Sequence, residues 1–528
     1  MNHFDVVIVG AGLSGIGAAY HLQANCPEKT FAILEGRSDV GGTWDLFRYP
    51  GIRSDSDMYT LGYSFKPWLN AKAIADGPSI LSYVNETANE NHLRQHIRFN
   101  HMVKSAAWST TDACWTITAA TGEHGDLVQF SCNMLLMCSG YYNYKAGHTP
   151  EFAGIDDFKG KIVHPQFWPE SMDYAGKRVV VIGSGATAMT LIPAMADKTA
   201  SITMLQRSPT YVVSSPAEDR LANILRKYLP DMLAYNLTRF KKTLLQGMLY
   251  RRTRKQPEKV KQWLLGMVRE SLGDDYDVDT HFTPSYNPWD QRMCLVPDGD
   301  LFAAIKSGKA TVVTDHIERI TAKGITLKSG AELEADIIIT ATGLELQLLG
   351  GTTFSSDGAP IDFSKTYTYK GMMYSGIPNL LQTFGYVNAS WTLRADLNAE
   401  YACRLINHMD ATGTRQCTPT LRSEDQKMQA RPWIDDFTSG YMTRALHLFP
   451  KQGDHTPWEN TQDYQRDKKL IRRAALEDGV LIFGTPLPTT ETTKESIKGL
   501  SERSSTAQND GGNVRSDHKI LVKKSAAS

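Results

Sequence analysis

Val6-Val7-Ile8-Val9-Gly10-Ala11-Gly12-Leu13-Ser14-Gly15 runs from a short apolar strand into a glycine turn and then into an apolar-periodic segment through Ile16, Ala19, Tyr20 and Leu22. The order strand, tight turn, helix is what gives Gly-x-Gly-x-x-Gly its meaning. The first glycine permits the turn, the second lets backbone approach a pyrophosphate, and the third lets helix and strand pack closely, with the helix N-terminus facing the phosphates. A second apolar strand, Phe31-Ala32-Ile33-Leu34, ends at Glu35. A carboxylate there accepts both ribose hydroxyls and repels a 2′-phosphate, so the motif suits the adenosine half of FAD or NAD and not NADP.

The same unit returns later. Arg178-Val179-Val180-Val181-Ile182 leads into Gly183-Ser184-Gly185-Ala186-Thr187-Ala188, and the next apolar run, 202–205, continues into Gln206-Arg207-Ser208. Arginine now stands where the first unit has Glu35, and arginine pairs with a 2′-phosphate, which points to NADP(H). Two turns with opposite ribose chemistry predict an α/β fold of two Rossmann-like dinucleotide-binding domains.

The 528 residues exceed one ordinary core and call for two or three domains. Lys plus Arg and Asp plus Glu are both 57, so no global field argues for nucleic acid. The seven cysteines are scattered, with no Cys-x-x-Cys and no histidine cluster, which favours a reducing compartment and no structural metal. The chain passes from Met1 straight into the first strand without a cleavable apolar leader, and no apolar run of about 18 residues occurs, so a soluble cytoplasmic protein is expected.

Between the two turns, the loop 41–55 is dense in glycine, aromatics and charge, and follows Glu35 closely enough to run back along a cofactor. By itself, Asp55 beside Arg53 reads as a surface ion pair. Residues 70–130 suggest a small helical region and then antiparallel strands, and 134–140 a buried strand returning to the first sheet, with Cys138 as a small core residue. Past the second turn, apolar-periodic stretches over about 216–275 predict a helical insertion. Its basic run Arg251-Arg252-x-Arg254-Lys255 reads first as a solvated face or a funnel for a phosphate-rich cofactor, with membrane-surface contact as the alternative. Asn388-Ala389-Ser390 is a candidate N-cap for a helix from Trp391 to Leu405, whose N-terminus would favour a reduced, anionic flavin ring. Trp289, Met372, Met373 and Trp391 are equally pocket or core candidates. From about 486 the chain turns polar and a disordered tail is expected.

The stretch between the turns carries the most specific signal. Phe158, Gly160, His164, Trp168 and Pro169 satisfy Phe-x-Gly-x-x-x-His-x-x-x-Trp-Pro, and Gly42, Trp44, Tyr49, Pro50, Gly51 and Asp55 satisfy a second long pattern. In both, the chain resembles the type I Baeyer-Villiger monooxygenases, class B flavoproteins, and within them the thioamide-prodrug-activating branch, over about residues 4–485. The resemblance implies a split organisation. Residues 1–150 and 346–485 would form the FAD domain, 151–175 the fingerprint linker, 176–345 the NADP domain with its insertion, and 486–528 the tail.

It implies site residues as well. Gly10, Gly12, Ser14, Gly15, Glu35, Thr43, Trp44, Asp55 and Val103 would serve FAD. Arg53, Gly183, Ser184, Gly185, Ala186, Thr187, Ala188, Arg207 and Ser208 would serve NADP. Asp55 would lie by the flavin and hold Arg292, the matching active-site arginine. Gln291 precedes it where much of the family has lysine, which leaves less redundancy in holding NADP. Phe158, Gly160, His164, Trp168 and Pro169 would fasten an interdomain hinge, with His164 no general base. The implied reaction uses NADPH, FAD and O2 to convert a ketone to an ester or lactone through a C4a-peroxyflavin. The alternatives are oxidation of sulfides, thioamides or amines, an NADPH oxidase releasing peroxide, and a redox-binding protein without turnover.

Overall fold

The computed structural model describes residues 1–435 and 437–485; the tail expected over 486–528 lies outside the described residues. The strand Asn2–Val9 sits in the middle of a parallel set. Phe31–Leu34 pairs on one side with Ile97–Arg98 beyond it, and Asp126–Met137 pairs on the other with Leu380–Gln382 beyond that. The first half of Asp126–Met137 pairs instead with Cys114–Thr121, which continues antiparallel to His101–Ser109; Thr353–Ser356, parallel to His101–Ser109, and Ala359–Pro360 beyond it complete a nine-stranded sheet. The late strand Leu380–Gln382 thus joins a sheet begun at the N-terminus, and its residues are buried.

The second sheet is five-stranded and parallel, with Arg178–Ile182 in the middle, Ser201–Gln206 and Ala310–Thr314 to one side, Ile337–Thr340 and Lys161–Val163 to the other. Near-continuous apolar runs such as Val179-Val180-Val181-Ile182 fit strands covered on both faces. Lys161–Val163 lies inside the fingerprint stretch, so that stretch contributes an edge strand and is more than a connection. The chain crosses between the sheets twice, as Tyr142–Gly147 outward and Leu344–Leu346 on return, and these segments pair antiparallel as a ribbon.

The insertion consists of helices Arg220–Tyr228, Asp231–Lys255, Pro257–Leu272 and Val278–Phe282. The long helix near the C-terminal end runs Trp391–Thr412, longer than the span to Leu405 expected, and packs on Leu13–Asn25. Ser390 stands at its N-cap position without a side-chain capping bond, because its hydroxyl instead meets Thr60 Oγ1 at 2.6 Å.

Candidate functional site

At the first turn Gly10 adopts φ +103°, and its N–H donates to Leu34 O at 2.8 Å. A Cβ on Gly10 would lie 2.6 Å from Cys138 O, and one on Gly15 1.8 Å from Gly10 O, so both positions exclude a side chain. Gly12 is the N-cap of Leu13–Asn25 and supplies no side-chain cap, which leaves the first N–H groups of the helix open toward the cleft. The backbone at Gly42 covers the turn, its Cα 3.6 Å from a Cβ built on Gly12, while Gly41 N–H donates to Ala11 O at 3.1 Å. Glu35 is buried, and its two oxygens accept from Ala11 N at 2.6 Å and Arg37 N at 2.8 Å. Burial pushes its carboxyl above the ordinary range, and the two N–H groups draw it part of the way back. Ser14 Oγ accepts from Trp391 Nε1 at 2.8 Å, and Thr43 Oγ1 meets Tyr142 OH at 2.7 Å.

The second turn repeats the geometry with one difference. Gly183 has φ +131°, donates to Leu205 O at 2.8 Å, and would place a Cβ 2.3 Å from Ala341 O. Gly185 is again an N-cap without a side-chain bond, for helix Ala186–Met195, but a Cβ there would meet nothing within 4 Å. Ala188 is fully buried where the first turn has Gly15. Arg207 and Ser208 stand exposed at the end of Ser201–Gln206, and Arg207 has no acidic partner among the described residues. Ser184 Oγ ties the turn to Thr210 Oγ1 at 2.9 Å and to Ser208 O at 3.2 Å. The residues present therefore fit two dinucleotides: bare helix N-termini for pyrophosphate, a carboxylate for one ribose, a free guanidinium for a 2′-phosphate.

One cleft of about 830 Å³ joins the two turns. Gly10, Gly12, Ser14, Glu35, Thr43, Trp44, Val103 and Asp55 line it from the first half; Arg53, Gly183, Ser184, Gly185, Ala186, Thr187, Arg207, Ser208 and Arg292 line it from the second-turn side and the loops between. Gly15 and Ala188 lie behind the turns and act through packing. Trp391 lines the cleft too, whereas Met372 and Met373 are core residues of the first half. Trp289 packs edge-on to Tyr250 at 6.0 Å.

Between the turns Asp55 Oδ2 accepts from Arg292 Nε at 2.8 Å and lies 2.7 Å from its Nη2. The Asp55 carboxylate raises the proton affinity of the guanidinium, outweighing desolvation, and fixes Arg292 as a cation. Tyr141 and Tyr441 line the cleft with Arg292; burial raises both hydroxyls, and Arg292 draws each part of the way back. Burial and the nearby Asp55 push the Cys294 thiol up to about 12, which makes it a poor nucleophile. Arg53 does not pair with Asp55. It pairs with Asp300, at the start of Asp300–Lys306, because the loop carries it toward the second sheet while Asp55 turns into the cleft.

The fingerprint residues lie outside this cleft. Phe158 is buried beside Ile338, and a Cβ on Gly160 would fall 2.3 Å from Asp336 O. The His164 ring lies against Gly147, where a Cβ would be 2.0 Å from its Cε1, and its Nδ1 accepts from Gln166 N at 3.2 Å. Gln166 Nε2 in turn donates to Asn143 O at 2.8 Å. Burial pushes His164 below its ordinary range. Trp168 packs on the second core and edge-on to Tyr174, and Pro169 O accepts from Met172 N at 3.1 Å. Of this stretch, His164 and Gln166 touch the crossing ribbon, at Gly147 and Asn143, while Phe158, Gly160, Trp168 and Pro169 pack within the second half. Sequence reasoning missed Tyr141 and Tyr441; the first could have been found from its place just after a sheet strand ending, while the second sits in an irregular stretch with no periodic signal.

Comparison with known proteins gives two family matches, "Flavin-binding monooxygenase-like" over residues 70–373 and "NAD(P)-binding Rossmann-like domain" over residues 8–71. The chain is 55% identical over 483 residues to the FAD-containing monooxygenase EthA of Mycobacterium tuberculosis, covering 91% of this chain and 98% of that protein. It is 48% identical over 495 residues to the probable FAD-binding monooxygenase AlmA of Acinetobacter baylyi, covering 93% and 98%. Among solved structures, an oxidized steroid monooxygenase bound to NADP superposes with a TM-score of 0.72 at 23% identity, covering 92% of this chain and all of that one. An open cyclohexanone monooxygenase gives 0.71 at 20% identity with the same coverage. These two share the fold.

Proposed function

The chain belongs to the flavin-binding monooxygenase-like family, and from that premise we propose that it is an FAD- and NADPH-dependent enzyme that oxygenates a ketone to an ester or lactone. The observation that carries the reading is the Asp55–Arg292 pair, set in one cleft between a turn with a ribose carboxylate and a turn with a free arginine. Bound cofactors supply hydride and activate O2. Residues 1–150 and 346–485 are assigned to FAD, 151–175 to the linker, and 176–345 to NADP.

Each residue then has a defined part. The helix N-termini at Gly12 and Gly185 receive the pyrophosphates, Glu35 accepts from a ribose, and Arg207 with Ser208 holds the 2′-phosphate. Arg53, tied to Asp300, lines the second side of the cleft. Arg292 presents a fixed cation where negative charge develops on the reacting oxygen, and Asp55 is the positioning residue that orients it. Tyr141 and Tyr441 wall off this point and limit water around the charge. All seven cysteines are free thiols, which suits a reducing, cytoplasmic setting.

The test mixes FAD-loaded protein, NADPH and oxygenated buffer with a medium-chain ketone, and follows ester, NADPH and peroxide together. Ester matching NADPH consumed is expected, with Arg292→Ala lowering ester formation about 10²-fold or more at unchanged FAD content. Stoichiometric peroxide without ester would make the protein an oxidase. Sulfoxide from a sulfide or thioamide without ester from the ketone would replace the ketone by a sulfur substrate.

A further inference from the structure

The long insertion helix Asp231–Lys255 is turned inside out. Its inward face is polar: Arg239 donates to Tyr59 O at 2.9 Å and Gly62 O at 2.7 Å and pairs with Asp396 at 3.3 Å, Tyr235 OH donates to Tyr63 O at 2.9 Å, and Thr238 and Thr243 are buried beside them. Its outward face is apolar. Leu233, Leu237, Phe240, Leu244 and Met248 recur every three or four positions as one stripe, all exposed, Phe240 at 65%. The preceding helix Arg220–Tyr228 exposes Leu221, Ile224 and Tyr228, the last at 80%. A contiguous apolar face of this kind marks a surface that something covers.

The charge around it says what. Residues 220–263 carry twelve Lys and Arg against only Asp231 and Glu258, in a chain of zero net charge. Asp219 neutralises Lys241 and Lys242, at 2.9 and 3.0 Å, but Arg220, Lys227, Arg252 and Lys255 are exposed with no acidic partner among the described residues. We propose that this face docks on an anionic bilayer surface, with the stripe at the acyl boundary and the basic side chains reaching the headgroups. A second copy of the chain applied face to face would set the same cations against one another. No described helix is long and apolar enough to cross a membrane, so the contact is interfacial.

The face also adjoins the site. Arg254 pairs with Asp290 at 2.8 Å and Tyr250 packs on Trp289, both on the loop that leads to Arg292, and Gln246 Nε2 donates to Asn388 O at 3.1 Å near the start of the Trp391 helix. Docking therefore brings the cleft to the lipid surface, and the substrate class it implies is a compound dissolved in the bilayer. That consequence rests on the oxygenase reading above; the docking itself does not.

Flotation of the FAD-loaded full chain with vesicles of phosphatidylcholine, with and without phosphatidylglycerol, tests it. Retention on the anionic vesicles is expected, weakening as salt rises. Phe240→Ser, Leu244→Ser and Met248→Ser together, and separately Arg252→Glu with Lys255→Glu, should each lower the partition coefficient about tenfold or more, with unchanged melting temperature and unchanged turnover of a water-soluble ketone. Absence of retention on anionic vesicles, or retention that neither set of substitutions changes, overturns the proposal. So does a dimer in sedimentation that the triple substitution dissociates without vesicle binding, since the face then belongs to a second copy. Vesicle binding with no oxygenated product would keep the docking and sink the reaction.

Discussion

The two glycine turns are built on one plan and finished differently. Each follows the middle strand of five parallel strands, each first glycine donates to the neighbouring strand at 2.8 Å, and each would clash with the carbonyl that ends the strand on its other side. At the first turn the backbone of the 41–55 loop closes over Gly12, and Glu35, the proposed ribose partner, is buried and held by two N–H groups. At the second nothing approaches Gly185, and Arg207 stands in the open. A covered site with a preformed carboxylate suits a cofactor that stays; an open site with a long, unpaired cation suits one that comes and goes. On the proposed assignment, the same fold would separate a resident nucleotide from an exchanging one through what covers it and what the residue at the strand end is.

The sharpest way to break that contrast is to fill each turn. Gly15→Ala drives a Cβ to within 1.8 Å of Gly10 O, an overpacking that costs about 1–3 kcal/mol or more, so the purified protein should lack flavin absorbance and melt lower. Gly185→Ala, with open space at the Cβ, should keep its flavin and its melting temperature and show only a raised KM for NADPH. Equal flavin loss in both variants would remove the distinction. Next in size, Arg207→Ala removes a charge-assisted contact worth about 1.5–3 kcal/mol, so KM for NADPH should rise roughly 10- to 10²-fold while KM for NADH stays unchanged. A parallel rise for NADH would mean that Arg207 shapes the turn and does not read the phosphate.

A smaller effect is expected where the two halves meet. His164 holds the crossing ribbon through Gly147 and the Gln166–Asn143 bond, away from both turns. His164→Ala should raise the share of NADPH lost as peroxide roughly two- to tenfold at unchanged FAD content. Flavin loss without added peroxide would make it a packing residue of the first half alone.

The two turns were legible from sequence because the glycine spacing and the residue ending the next strand, Glu35 or Arg207, lie within one short stretch of chain, even though the atoms that exclude a side chain at Gly10 and Gly183, Cys138 O and Ala341 O, come from distant strands. The Asp55–Arg292 contact spans 237 positions, and no spacing rule reaches that far; it came from family likeness, and the residue reading alone set Asp55 beside Arg53. Periodicity announced the insertion helices but not their orientation. A period of 3.6 looks the same whichever face turns inward, and here Arg239 and three threonines are buried while Phe240 is exposed. Ser390 shows a similar limit, since its N-cap position was readable but the competing hydroxyl of Thr60 was not.

The finest test of the contrast is titration. Burial raises the Glu35 carboxyl above its ordinary value of 4.5, so in flavin-free protein its contribution to stability is fully present below that value and is lost as pH rises through the raised one. Ribose hydroxyls donated to the carboxylate reverse the balance by favouring its charged form, so FAD affinity should rise with pH across the same window. Glu35→Gln removes the titration: its flavin-free melting temperature should lose the corresponding slope, and its weaker FAD binding should be flat there. The second turn has an exposed arginine in the equivalent place and no buried carboxylate to compare. A wild-type FAD affinity that stays flat as pH rises above 4.5 would mean that the covered turn does not hold its carboxylate ready for a ribose, and the division into a resident and an exchanging site would then rest on the covering loop alone.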